Sequence, residues 1–285
     1  MIGTFPHALT MRSIVAAVAA FAVALAACSS QPSGPTPGVP TPTGAASAST
    51  DRTGSFDVGD HRLSMECEGD GSPTIVFLHG VGGQSADWSA TLEGLSGVAT
   101  CNYDRLNAGA SDRDPERHTV TDSVADLGSL LDVAGVDPPY LLVAHSFGGM
   151  IALLYAADHP EEISGILLVD ATMPFEAELD PPELVDRIAA DLDDNPEHID
   201  FYDAYAVAAD VVDRLPPVPI TYLFGTLQEL PPEWEPGAYE EALHAYMRGL
   251  PEGRLVEEES GHGMPLEIPD EIASQIMAML DRIGS

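Results

Sequence analysis

The stretch Pro-Tyr-Leu-Leu-Val-Ala-His-Ser-Phe-Gly-Gly, residues 139–149, decides the fold of this chain. The apolar run at 139–143 predicts a buried strand, and Ser146 follows it where the chain turns into a helix. Small residues around a serine permit a sharp strand-to-helix turn that lifts the hydroxyl above a sheet. Ala144 stands where the usual pattern has glycine, and it also keeps side-chain bulk low. The segment therefore predicts a nucleophilic serine.

A glycine-rich loop upstream is the second element that a serine nucleophile requires. The run Thr74–Leu78 (TIVFL) predicts a buried strand, and it ends in His-Gly-Val-Gly-Gly at 79–83. Backbone N–H groups in such a loop stabilise the oxyanion that forms when a serine attacks a carbonyl carbon. We expect the N–H groups of Val81 and Phe147 to form this oxyanion hole. We expect His79 to brace the loop.

A histidine near the end of the chain is suited to be the general base. Residues 254–259 predict the last strand, and Ser-Gly-His-Gly-Met-Pro follows at 260–265. A histidine on a glycine-flanked loop after the final strand can swing over the edge of the sheet to reach a serine. Among the nine histidines, this position favours His262 as the group that takes the serine proton.

In the order of its motifs, the segment 61–283 resembles an α/β-hydrolase-fold serine hydrolase. The alternation of strand-like and helix-like segments favours the same α/β class, a mainly parallel sheet with helices on both faces. The resemblance implies a helical cap between the strands ending near Asp170 and starting near Ile220. Asn107 departs from the pattern, because many relatives have glycine there. Besides the serine elbow, the motifs that carry the resemblance are His79-Gly80, Trp88, Tyr103-Asp104-Arg105, Gly109, Ser111-Asp112, Leu168-Val169-Asp170 and Gly261-His262.

The resemblance leaves two candidates for the carboxylate that orients the histidine. In the family, the acid commonly stands three residues beyond a glycine after the penultimate strand, here predicted at 220–224. That position is Gln228, which cannot ionise, and Glu229 is one residue further. Some relatives instead place the acid where Asp170 ends the preceding strand. Both carboxylates fall between the serine and the histidine in the chain, as the fold requires. We favour Asp170 and keep Glu229 as the alternative.

The N-terminal region has the pattern of a bacterial lipoprotein signal. Arg12 precedes an apolar stretch at 14–27, which is too short to span a membrane and ends beside Cys28, the expected lipidation site. A region rich in Pro, Ser and Thr follows, and it cannot bury an apolar core. We expect export and a lipid anchor on the outer face of the cell membrane. The predicted ranges are 1–27 for the signal peptide, 28–53 for a disordered tether, 54–285 for the α/β-hydrolase domain and 172–218 for its cap.

Two further cysteines are consistent with export. If Cys28 carries lipid, Cys67 and Cys101 remain, the first in a predicted early strand and the second in a strand at 98–103. An even number of cysteines in an oxidising compartment predicts a disulfide, with two free buried thiols as the alternative. Neither cysteine has a Cys or His neighbour at zinc-site spacing, so we expect no metal centre.

The charge of the chain disfavours several classes of partner. The formal net charge is −35, from 46 acidic and 11 basic residues, and every basic residue is arginine. Such a surface repels nucleic-acid phosphates and strongly anionic substrates. A neutral or cationic small-molecule ester is easier to accept.

Together, these features predict an exported, lipid-anchored serine hydrolase that cleaves a carboxylic ester through an acyl-enzyme and needs no cofactor. An amidase, an aminopeptidase or a perhydrolase would use the same residues, and the fold alone does not separate these activities. A different alternative is a non-catalytic surface lipoprotein that uses the fold as a binding module. Acyl length and oligomeric state stay open.

Overall fold

One eight-stranded sheet organises the computed structural model, which describes residues 52–181 and 195–284. The strands are β1 (Gly54–Asp57), β2 (Arg62–Glu68), β3 (Thr74–Leu78), β4 (Thr100–Asp104), β5 (Tyr140–His145), β6 (Ile163–Val169), β7 (Ile220–Gly225) and β8 (Gly253–Glu258). Their order across the sheet is β1-β2-β4-β3-β5-β6-β7-β8. β2 pairs antiparallel with β1 and β4, and the other neighbours pair in parallel.

Helices cover the sheet and form the connections between its parallel strands. Those of the described residues are α1 (Ser89–Glu93), α2 (Val120–Ala134), α3 (Gly148–Asp158), α4 (Glu176–Leu179), α5 (Phe201–Ala208), α6 (Ala238–Gly249), α7 (Met264–Glu267) and α8 (Pro269–Ile283). Parallel strands require such crossovers, because a tight hairpin can join only antiparallel strands. The predicted α/β class, with a mainly parallel sheet, is therefore confirmed.

The pleat of the central strands distributes their side chains between two helical layers. In β3 all five residues are buried, as expected for a strand covered on both faces. Val76 and Leu78 join the cluster formed with α2 and α3. Ile75 and Phe77 point the other way and join a second cluster with α8. The continuous apolar run that predicted this strand thus reflects burial on both faces.

Local capping chemistry accounts for the ends of α2. Thr119 precedes the helix, and its hydroxyl oxygen accepts a hydrogen bond from the Asp122 N–H at 3.1 Å. The Asp122 carboxylate in turn accepts the Thr119 N–H at 2.9 Å. This reciprocal capping box satisfies two N–H groups that the helix leaves without partners. Gly135 ends the helix with a positive φ of 63°.

The predicted bounds of two strands differ slightly from the observed ones. The last strand was predicted at 254–259, and β8 lies one residue earlier. The strand predicted at 98–103 begins at Thr100 and ends at Asp104. Gly97, with a φ of +75°, and Ala99, whose carbonyl oxygen accepts the Ile75 N–H at 2.8 Å, form the approach to this strand. In both cases the pairing of the backbone with neighbouring strands, rather than side-chain type, sets the ends.

Helical segments lie between β6 and β7, where the cap was predicted. They comprise α4, α5 and a 3₁₀ turn at Val211–Arg214, while residues 182–194 lie outside the described part of the chain. Ile199 forms a backbone bridge to His118, next to an ion pair between Arg117 and Asp200. The segment is thereby attached to the loop that precedes α2.

The predicted signal peptide, the lipidation site Cys28 and nearly all of the tether lie outside the described residues, and they stay predictions. Within residues 52–181 and 195–284, no helix combines the length and the apolar character needed to cross a membrane.

A disulfide joins Cys67 of β2 to Cys101 of β4, as predicted. The two residues face each other in the antiparallel pairing of these strands. The two cysteines are 34 residues apart in the sequence, and both are buried. It therefore closes a loop that contains β3, the strand leading to the glycine-rich segment 79–83.

Replacing both cysteines with serine should lower the free energy of unfolding by about 2–4 kcal/mol, because the unfolded chain gains the entropy that the cross-link removes. Urea unfolding of the double variant and of the oxidised and reduced wild-type protein measures this difference. The reduced wild type should unfold near the midpoint of the variant. Equal midpoints for all three would contradict a stabilising disulfide.

Candidate active site

Ser146 sits on a sharp turn at the carboxyl end of β5. Its φ is +52°, a left-handed conformation that residues with a Cβ rarely adopt. The Ser146 carbonyl oxygen holds the turn, because it accepts the N–H groups of Gly149 at 2.9 Å and Thr172 at 3.0 Å. A Cβ at Gly148 would lie 2.7 Å from the carbonyl oxygen of Leu78, so glycine lets α3 start directly beside β3. The serine is thus held at the edge of the sheet.

The structure accommodates both departures from the usual family pattern. Ala144 is fully buried in β5, between Leu78 of β3 and Leu168 of β6, where its small side chain fits. Asn107 has a φ of +69°, in the region that glycine usually occupies. Asparagine tolerates this region better than most residues, and its side-chain oxygen accepts the Asp114 N–H at 2.8 Å. Neither departure disturbs the local backbone.

His262 lies between Ser146 and Asp170 in a continuous hydrogen-bonded chain. The Ser146 hydroxyl is 3.0 Å from His262 Nε2, and His262 Nδ1 is 2.7 Å from a carboxylate oxygen of Asp170. Because a carboxylate only accepts, Nδ1 carries the ring hydrogen and Nε2 is free to accept the serine proton. The other Asp170 oxygen accepts the Gly225 N–H at 3.1 Å. Three residues from distant parts of the chain thus meet in the order that nucleophilic catalysis requires.

The alternative acid, Glu229, does not occupy this position. Asp170 holds the Nδ1 side of His262, whereas Glu229 is exposed and lines a cavity beside it. Asp170 is buried at the end of β6 with a φ of +41°, and β6 is the immediate neighbour of β5 in the sheet. Between the two carboxylates that the sequence left open, the geometry selects Asp170.

The electrostatics of the site differ sharply between two neighbouring histidines. The hydrogen bond to Asp170 raises the pKa of His262 above its ordinary value of 6.5. Burial, together with the adjacent His262, lowers the pKa of His145 to about 4. At neutral pH, therefore, His145 is a neutral ring beside a histidine whose cationic form is stabilised.

The two predicted oxyanion donors lie at the same edge of the sheet. Val81 follows β3 and Phe147 follows Ser146 at the end of β5, and these two strands are parallel neighbours. The Gly80 carbonyl oxygen accepts hydrogen bonds from His79 Nδ1 at 2.7 Å and from Arg105 Nη2 at 2.9 Å. In a trans peptide the N–H points opposite to the C=O, so the Val81 N–H points away from Arg105.

A buried ion pair braces this loop, and the sequence did not reveal it. The side chains of Arg105 and Glu197 are almost fully buried, and their two hydrogen bonds measure 2.8 and 3.0 Å. Arg105 also donates to the carbonyl oxygens of His79 and Gly80. Glu197 accepts the Gly82 N–H at 2.7 Å. The pair therefore joins the cap segment to the backbone of the oxyanion loop.

The sequence carried a signal for only one member of this pair. Arg105 belongs to the Tyr-Asp-Arg motif that supports the family resemblance, although no role was assigned to it. Glu197 is one of many acidic residues in the cap region, and nothing in its neighbours distinguishes it. His79 has the bracing role expected of it, because its Nε2 accepts the Arg105 N–H at 3.2 Å.

His145 is a second residue whose role the sequence did not indicate. Its Nε2 is 2.8 Å from the carbonyl oxygen of His262, and the ring centroids of the two histidines are 4.9 Å apart. The carbonyl only accepts, so Nε2 of the neutral His145 ring is the donor. This bond ties the backbone of the His262 loop to the residue that precedes Ser146.

A cavity of about 630 Å³ opens beside His262 and lies under the cap segment. Tyr205 of the cap lines it, whereas Phe175 packs against Tyr239 with ring centroids 5.6 Å apart. The side chains of two other cap aromatics, Phe201 and Tyr202, lie outside the described part. Across residues 52–181 and 195–284, no group of three His, Cys, Asp or Glu side chains is arranged to hold a metal ion.

The family model described as the alpha/beta hydrolase fold matches residues 73–216 of this chain. The protein YqjL of Bacillus subtilis (strain 168) is 37% identical over 109 residues, which cover 37% of this chain and 42% of that protein. Lipase LipV of Mycobacterium tuberculosis is 29% identical over 139 residues, which cover 49% of this chain and 51% of that lipase. The chain thus spans about half or less of the length of these relatives.

A solved structure extends the similarity over most of the chain. The crystal structure of a membrane phospholipase A, described as a bacterial virulence factor, has a TM-score of 0.59 and 21% sequence identity. The match covers 82% of this chain and 86% of the phospholipase chain. At this level of identity, the likeness concerns the fold.

Replacing Glu197 with alanine should lower the free energy of unfolding by about 3–5 kcal/mol, because the buried Arg105 charge loses its counter-ion. Denaturant unfolding measures this change. The matched control is Glu252→Ala, which removes an exposed partner 4.0 Å from Arg282 and should cost no more than about 1 kcal/mol. Similar losses for the two variants would contradict the bracing role of Glu197.

Proposed function

Since the chain belongs to the α/β-hydrolase family, we propose that it is a serine hydrolase that cleaves a carboxylic ester through an acyl-enzyme. The observation that carries this proposal is the chain of hydrogen bonds from Ser146 through His262 to Asp170. The relatives reported above include a lipase, and membership of the α/β-hydrolase family supports a hydrolase activity. The serine chemistry and the ester specificity are the proposal.

The first half of the reaction acylates the serine. His262 Nε2 removes the Ser146 proton as the oxygen attacks the ester carbonyl carbon. The negative charge that develops on the carbonyl oxygen is stabilised by the N–H groups of Val81 and Phe147. Asp170 stabilises the imidazolium and holds its ring, and His262 then gives the proton to the departing alcohol.

The second half of the reaction releases the acid. His262 removes a proton from a water molecule, which attacks the carbonyl carbon of the acyl-enzyme. The same N–H groups stabilise the second oxyanion, and collapse of this intermediate returns the proton to Ser146. The bond between Asp170 and Nδ1 keeps Nε2 in the form that accepts a proton in both halves. No step needs a group beyond these side chains, the backbone and water.

We extend the proposal to the location of the enzyme and to its partners. Cys28 and the apolar segment before it favour a lipid anchor on the outer face of the cell membrane, with residues 28–53 as the tether. The disulfide between Cys67 and Cys101 suits an oxidising compartment. The net charge of −35 favours a neutral or cationic small-molecule ester and disfavours nucleic acid.

A fluorophosphonate probe tests the nucleophile. The wild-type protein should form a covalent adduct because the probe phosphorylates an activated serine, whereas Ser146→Ala and His262→Ala should not react. Intact-mass spectrometry measures the adduct. Ser89→Ala, which changes an exposed serine, is the control and should react like the wild type. Equal labelling of wild type and Ser146→Ala would sink the proposal.

The pH dependence of kcat/KM tests the acid. The base must be neutral to accept a proton, so activity should rise with pH through the pKa of His262, which Asp170 raises above 6.5. Asp170→Asn removes the carboxylate that raises the pKa of His262. The midpoint of the pH profile should therefore move to lower pH, while activity falls by about 10³–10⁴-fold. Asp158→Asn, an exposed change, should leave the midpoint in place. An unmoved midpoint in Asp170→Asn would refute the assignment.

A further inference from the structure

The cavity beside His262 is built from three parts of the chain that meet at the carboxyl edge of the sheet. Its volume of about 630 Å³ is in the range of small-molecule sites. The residues that line it are Asp170, Ala171, Thr172, Glu176, Asp180, Tyr205, Leu227, Gln228, Glu229, Leu230, Pro231, Trp234, Tyr239, Gly261 and His262. Ser146 itself is not among these residues, and the cavity is connected to it through His262, whose Nε2 is 3.0 Å from the serine oxygen.

Glu176 is held in place within this cavity. One of its carboxyl oxygens accepts the Met173 N–H at 2.8 Å, and the other accepts the Tyr205 hydroxyl at 3.0 Å. These bonds fix the orientation of the carboxyl group and leave part of its accepting capacity unused. Burial raises the pKa of Glu176 to about 8, and the nearby Asp180 and Asp170 carboxylates raise it as well. A positive charge entering the cavity would offset both effects.

Aromatic rings form another part of the cavity lining. The rings of Trp234 and Tyr239 are nearly parallel, with centroids 5.5 Å apart. The indole N–H of Trp234 donates to Asp180 at 2.7 Å, and the Tyr239 hydroxyl is 2.8 Å from that of Tyr222. These contacts hold the two rings at the cavity. Indole and phenol faces attract cations, most strongly where water is excluded.

We propose that this cavity is the subsite for an ammonium group carried by the ester substrate, with Glu176 as the specificity-determining carboxylate and Trp234 as the aromatic surface. The inference rests on the proposed serine hydrolase function and names its substrate class. The described lining contains no arginine, so an anionic substituent would meet Glu176, Asp180 and Glu229 with no basic side chain other than His262. A purely apolar substituent would remove the half-buried Glu176 carboxyl from water, which is unfavourable.

Two pairs of isosteric esters test the subsite, because each pair differs only by a quaternary nitrogen in place of a carbon. On the alcohol side the pair is acetylthiocholine and 3,3-dimethylbutyl thioacetate. On the acyl side it is the p-nitrophenyl esters of 4-(trimethylammonio)butanoate and 5,5-dimethylhexanoate. In at least one pair, the wild-type protein should have a kcat/KM about tenfold or more higher for the cationic member.

In assays above pH 8, where Glu176 is ionised, Glu176→Gln should reduce this cation preference at least about fivefold, because it removes the charge and keeps the shape of the side chain. The matched control is Glu178→Gln, an exposed change on the same short helix that also removes one negative charge. It should keep the wild-type ratio. An equal loss of preference in both variants would assign the effect to the general charge of the protein and would overturn the subsite.

A measurement on the wild-type protein does not depend on whether a variant folds. Tetramethylammonium chloride should inhibit hydrolysis of the neutral esters competitively, and sodium chloride at the same ionic strength should not. One outcome is that the neutral esters are hydrolysed, that the two salts act alike and that neither pair shows a cation preference. This outcome overturns the subsite and leaves the serine hydrolase proposal standing. If no ester is hydrolysed and the fluorophosphonate does not label Ser146, the proposed function fails and the subsite with it.

Discussion

The backbone turn at Ser146 is the constraint on which the rest of the site depends. A residue with a Cβ at a φ of +52° is unfavourable in isolation, and the surrounding structure must hold it. Here β3 and β6 flank the strand that delivers the serine, and α3 starts immediately after it. The turn directs the hydroxyl toward His262, and Phe147 follows directly before α3. The proposed nucleophile and one proposed oxyanion donor therefore depend on the same backbone feature.

Different interactions hold Asp170 and His262, the two partners of the serine. Asp170 also has a positive φ, 41°, and it is buried at the end of the neighbouring strand. His262 is half exposed on its loop, and the hydrogen bond from His145 to its carbonyl oxygen connects that loop to the elbow. His262 is thus the most exposed member of the group, and Asp170 and His145 position it from two sides.

The buried pair of Arg105 and Glu197 makes the cap part of the active site. An ion pair in the interior seldom adds much stability over an apolar pair, because two charges must be removed from water. The ion pair here positions the backbone, since the two side chains together bind three backbone groups of the loop at 79–82. A change in the position of the cap would therefore alter the peptide that presents the Val81 N–H. The cap also contributes Glu176 and Tyr205 to the cavity beside His262, so the geometry of the loop and the shape of the cavity are linked through one segment.

The sequence by itself determined the features that depend on local pattern. The buried runs predicted β3 and β5, the small residues around Ser146 predicted the elbow, and the glycines beside His262 predicted a reaching loop. These predictions succeed because strand burial and tight turns restrict the residue types allowed at neighbouring positions.

Only the tertiary structure decided the contacts between segments far apart in the chain. Asp170 and Glu229 are equivalent by residue chemistry and chain order, and the adjacency of β5 and β6 brings Asp170 to the histidine. Glu197 and Glu176 are two acidic side chains among 46 acidic residues in the sequence. Burial distinguishes them, because a carboxylate removed from water needs a partner and a carboxylate on the surface does not. The sequence pattern reflects local backbone preferences, whereas the packing of the whole domain decides which side chains are buried and which groups they pair with.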